Sequence, residues 1–204
     1  MGRAFLGVPR SHRGRRWRID RVSVFDRVTG RRSADVEPWK LLAEKDDLPK
    51  VSFIRVAKDV TVGREPWWGA EIAADGGWGA RQGRYPLRQT VIRFSGEASA
   101  ARELQMAPYG RVYNDEDHLA TVRPVDLGAE GPKADAASLG CMPWREERRP
   151  SCFGWAFYGR YGKYVVEVTF SSHRDPDSNR GLERDVFLEM VKGADRRIAE
   201  FNIN

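Results

Sequence analysis

Hydrophobic and polar positions alternate most regularly in the last quarter of the chain. Tyr164, Val166, Val168 and Phe170 fall on one face of an extended segment, and Val165, Glu167 and Thr169 on the other. Residues two apart share a face of a strand, so this pattern predicts a strand over 163–170. An aromatic-rich segment, Phe153 to Tyr158, comes before it. Gly159-Arg160-Tyr161-Gly162 between the two predicts a hairpin with a glycine-bearing turn. After a polar break at 175–181 the period changes. Leu182, Val186, Met190, Ala194 and Ile198 recur every four residues, and Phe187 and Val191 widen the stripe. That is the pattern of an amphipathic helix, expected over 182–201. A short polar break lets such a helix fold back on its own strands.

Upstream the signals are shorter. Gln89 to Phe94 reads as a strand. Ser95 is placed to cap a helix from Glu97 to Met106, with Ala98, Ala101 and Leu104 inward. Val51 to Val62 and Trp17 to Val28 also read as strands. Glu37 to Lys45 reads as a short helix, with Pro38 in its first turn and Trp39, Leu42 and Ala43 on one face. Glycine clusters around Trp67-Trp68 and Trp78 predict short strands and turns there, and Pro124 to Ser138 reads as a surface loop. The expected class is α+β: a mostly antiparallel sheet with helices on one face. The strand-then-helix unit occurs twice, which suggests two diverged halves.

Composition changes the picture in one respect. The 204 residues are 41% hydrophobic and 31% charged, with mean hydropathy −0.60, which fits a globular domain with a wet surface. No apolar run approaches the ~20 residues needed to cross a bilayer, so no transmembrane segment is expected. The net charge of +6 is unevenly placed. Residues 1–32 hold ten Arg, no Lys and two acids, a net of +8, and the remaining 172 residues carry −2. Residues 1–16 have clustered Arg and no apolar period, so they are expected to be a disordered basic arm, with one α+β domain over 17–204. A basic arm suits nucleic acid or another anionic surface. The Arg excess over Lys, 28 to 7, by itself reflects a GC-rich genome.

The two cysteines bear on the compartment. Cys141 and Cys152 enclose ten residues, and a lone, closely spaced pair suggests one local disulfide, hence an oxidising environment. The alternative is two separate thiols in a reducing cytosol. The first residues lack the apolar stretch of a secretory signal, so the chain taken at face value stays in the cytoplasm.

The segment from Cys152 to Val168, with its aromatic strand, Arg-Tyr-Gly turn and Tyr-Val-Val strand, resembles the C-terminal part of actinobacterial exported proteins and lipoproteins of unknown function. Residues 89–106 resemble a second recurrent piece of that family. Together they are distantly similar to the extracellular sensor domains of mycobacterial Ser/Thr kinases. The resemblance spans 80 to 90 residues or so. It implies export, a disulfide and an α+β fold with a groove, and it carries over no catalytic residue. The absence of a signal peptide and the single cysteine pair depart from that pattern.

Candidate chemistry is sparse. Asp175-Pro176-Asp177-Ser178-Asn179 has the oxygen spacing of a calcium loop, but Arg180 and Val186 stand where an EF-hand needs Gly and Glu. Asp115-Glu116-Asp117-His118 reads as a solvated turn. No nucleophile, P-loop or dinucleotide motif occurs, so neither catalysis, a cofactor nor a metal is expected. Ligand contacts are expected from Trp67, Trp68, Trp78 and Tyr161, which can stack on sugar rings or bases, and from Arg81 and Arg84 in a glycine-rich stretch. The leading expectation is a non-enzymatic envelope or extracellular domain that binds a cell-wall or polysaccharide fragment or a protein partner. The alternative is a nucleic-acid or anionic-surface binder that uses the arm.

Overall fold

The fold is that of a computed structural model, which describes residues 35–50, 59–63, 69–78, 87–107, 122–129, 131–143, 152–171 and 183–203, all within the unit Arg32–Asn204. The expected arm at 1–16 and the expected strand at 17–28 lie outside the described residues.

Among the described residues seven strands form one fully antiparallel sheet: β1 Asp59–Gly63, β2 Ala70–Trp78, β3 Leu87–Phe94, β4 Arg123–Pro124, β5 Ala136–Pro143, β6 Cys152–Tyr161 and β7 Tyr164–Ser171. Their spatial order is β1-β2-β3-β7-β6-β5-β4. Two meanders, β1–β2–β3 and β5–β6–β7, therefore meet through β3 and β7, with Val91 opposite Val166 and Ile92 opposite Val165. The α-helices among the described residues are α1 Glu97–Met106, entered from β3, and α2 Arg184–Ala199, which follows β7 in the chain. The α+β class with an antiparallel sheet is as expected.

The hairpin is tighter than the sequence suggested. β6 continues through Gly159-Arg160-Tyr161, and only Gly162 and Lys163 turn the chain. A two-residue turn needs φ > 0, and Gly162 supplies it at +56°. β5 takes in 136–138, the end of the expected surface loop. Its Ala-Ala-Ser-Leu-Gly has low strand propensity, and pairing with β6 along its whole length overrides that.

Val166, Val168 and Phe170 of β7 pack with Phe187, Met190, Val191, Ala194 and Ile198 of α2, Trp155 and Phe157 of β6, and Leu41 and Leu42. The Trp155 ring stacks on Phe187, centroids 5.7 Å apart. This is the main core, and it uses the strand face and helix stripe that the periods predict. Val165 points the other way, into a second cluster with Ile92, Phe94, Tyr158 and Ala100 of α1. The two helices thus lie on opposite faces of the sheet, not on one. A two-fold axis that exchanges neighbouring antiparallel strands runs normal to the sheet and keeps each face where it is. The strand-then-helix units consequently repeat in order but are not related by such symmetry. α1 also rolls from its expected face: Ala100 and Glu103 are buried and Ala98 is exposed, because Glu103 reaches Tyr158.

Residues 35–48 run over the main core as a strap. Instead of one short α-helix they form two 3₁₀ turns, Pro38–Leu41 and Lys45–Asp47. Leu41, Leu42 and Ala43 are all buried while Trp39 is exposed. Three consecutive residues cannot share one α-helical face, so the chain extends after Leu41. The Gln89 side chain takes up the backbone groups left over: its Oε1 accepts from Ala43 N at 2.8 Å and its Nε2 donates to Leu41 O at 3.3 Å.

Met190 and Val168 are both buried in the main core, whereas Lys192 reaches outward to Glu189 at 3.1 Å. Met190→Ala should destabilise by about 2–4 kcal/mol through lost transfer energy and the cavity left behind, and Val168→Ala by a smaller amount of the same sign. Lys192→Ala should cost under about 0.5 kcal/mol. Urea unfolding of the three variants checks the ranking, and equal effects would refute the assignment of the α2 face.

Candidate functional site

The α1 face of the sheet carries a row of polar residues where a covered face is ordinarily apolar. Asp75 of β2 lies opposite Thr90 of β3, Thr90 opposite Glu167 of β7, Glu167 opposite Tyr158 of β6, and Tyr158 opposite Ser138 of β5. The row is one register line across five strands, so the pairing that aligns the strands also aligns these side chains. On one side of it lies the apolar line Ala73, Ile92 and Val165, over which α1 packs. On the other side lie Arg88 and Thr169.

The row is dry in its middle and wet at its β2 end. Glu167 and Tyr158 are buried, and so is Glu103, which α1 brings down onto the row. The Tyr158 hydroxyl donates to Glu103 Oε1 at 3.2 Å. Toward β2, the Asp75 and Arg88 side chains retain 26% and 38% of their exposure. There the Thr90 hydroxyl donates to Asp75 Oδ1 at 2.5 Å, and the Arg88 guanidinium lies 3.8 Å from the same oxygen. This open corner offers a carboxylate, a hydroxyl and a guanidinium side by side, all able to hydrogen-bond a polar ligand. Among the described residues no three His, Cys, Asp or Glu converge as a metal group.

Two of the candidate ligand residues, Trp78 and Tyr161, have other roles. Trp78 is 1% exposed in the main core, against Leu42 and beside Gly76, so it cannot stack on a ligand at the surface. Among the described residues its buried Nε1 has no hydrogen-bond partner. Tyr161 is also buried and ties the hairpin to α2, its hydroxyl donating to Asp195 Oδ1 at 3.0 Å. Trp67, Trp68, Arg81 and Arg84 lie outside the described residues, as do both metal-like acidic stretches, 115–118 and 175–179. The connection that carries Arg81 and Arg84 leaves β2 at Trp78 and enters β3 at Leu87, next to Arg88. The sequence pattern does not mark the polar row as a unit. Its one local signal is Glu167, an acid inside an otherwise apolar strand.

Cys141 and Cys152 form the expected disulfide, with Cα atoms 5.7 Å apart. Cys141 faces Trp155 across the β5–β6 pair. In a regular ladder Cys152 would point to the opposite face. A bulge places Cys152, rather than residue 153, opposite Pro143, and one extra residue reverses the side-chain alternation. Both sulfurs therefore reach the main core, where the two residues are 8% and 4% exposed.

Alkylation of the denatured, unreduced protein should add no mass. Replacing both cysteines by Ser should cost about 3 kcal/mol in denaturant unfolding, the chain-entropy value for so short a loop; two labelled thiols would refute the bond. Burial first, and then the charge and hydrogen bond of Asp195, hold the Tyr161 phenol well above its ordinary value of 10.0. Burial also raises Tyr164. The folded chain keeps these protons where the unfolded chain loses them. The resulting stability is full below about pH 10 and is lost as pH rises through the folded values. Tyr161→Phe should flatten the alkaline limb of the stability curve and leave its slope at pH 7 unchanged, as measured by urea unfolding across pH.

The chain matches no protein-family model, no curated protein and no solved structure.

Proposed function

We propose that this protein is a non-enzymatic domain of the cell envelope that binds a ligand or partner, with a cell-wall or polysaccharide fragment as the ligand class. The disulfide carries the reading. A bond buried between β5 and β6 fits a chain that folds in an oxidising compartment, since thiols of cytosolic proteins are kept reduced. The open corner of the polar row supports binding. A line of carboxylates and hydroxyls through a sheet face costs stability, and departures of that kind concentrate at functional sites. Asp75, Thr90 and Arg88 present the donors and acceptors that sugar hydroxyls and acidic sugars need. Arg81 and Arg84 belong to the connection that starts and ends beside this corner, and Trp67 and Trp68 precede β2 as stacking candidates.

Co-sedimentation with purified cell wall tests the proposal. The wild-type chain should pellet with the wall. Asp75→Asn combined with Arg81→Ala and Arg84→Ala should weaken binding at least about tenfold, the loss of one or two charge-assisted hydrogen bonds. Unchanged binding by a folded triple variant would overturn the site. Free thiols in protein isolated from its native cells would overturn the envelope location.

The charge partition favours a second reading, in which the +8 segment 1–32 engages nucleic acid or an anionic surface. Binding of that kind should fall steeply between 50 and 200 mM salt, by about 10³-fold for six or more phosphate contacts, and should vanish when residues 1–32 are removed. Wall binding through the corner should survive that deletion. A filter-binding titration over salt with duplex DNA separates the two readings.

A further inference from the structure

We draw no further inference here: the strongest candidate, the row of carboxylates and hydroxyls from Asp75 through Glu167 to Glu103 on the α1 face of the sheet, belongs to the site already described, and nothing in the structure shows what it would hold.

Discussion

The pairing of β3 with β7 is the constraint on which the rest of the structure depends. It joins two meanders that would otherwise each expose a long edge, and it puts the last strand of both at the centre of the sheet. Residues 164–170 are buried throughout, because α2 covers one face of β7 and α1 the other. Alternate side chains of β3 and β7 then serve two different cores. Val91 and Val166 belong to the α2 side, Ile92 and Val165 to the α1 side. A slip of one residue would drive Glu167 and Thr169 into the aromatic core under α2, so the register is strongly fixed.

The second dependence is how the main core is closed. The strap at 35–48 makes no strand of its own, and side chains distant in sequence hold its backbone. Tyr164 OH donates to Val36 O and accepts from Val36 N, both at 2.8 Å, and Gln89 does the same for Leu41 and Ala43. Arg196 and Arg197 of α2 donate to the carbonyls of Asp47 and Lys40. Gly193 is required at this contact, since a Cβ there would lie 2.2 Å from the Asp47 carbonyl oxygen. Buried polar groups with partners cost little, so Gln89 and Tyr164 sit in an apolar core without penalty and fix where the strap lies.

The two faces of the sheet thus solve different problems. The α2 face is filled with aromatic and aliphatic side chains, and its polar groups are spent on the strap and on Asp195. The α1 face gives up part of its apolar area to a polar row whose middle is covered at Tyr158 by Glu103 and whose β2 end is open. One face is filled with apolar side chains, and the other leaves polar chemistry at an open corner. That asymmetry underlies the binding reading, as the buried disulfide underlies the envelope reading.

Local periodicity determined a good deal by itself. The bounds of α1, the stripe of α2, the inward face of β7 and the cysteine pair are short-range patterns, legible because side-chain spacing in a helix or strand follows from backbone geometry. Only the tertiary structure decided what lies across from each pattern. Glu103 turns inward because Tyr158, 55 residues away, offers it a hydroxyl, and no helical period encodes that partner. Ala136–Pro143 becomes a strand because β6 pairs with it, against its own propensity. Trp78 and Tyr161, which looked available for stacking, are buried because the strap and α2 close over them. The helices take opposite faces because the sheet has two apolar sides to cover, and a one-dimensional pattern does not say which helix covers which. The polar row was illegible for the same reason: Asp75, Thr90, Glu167 and Tyr158 are scattered between positions 75 and 167 and become neighbours only through the register of four strands. Sequence spacing proposed the disulfide, but a bulge in β6 is what turns Cys152 toward Cys141.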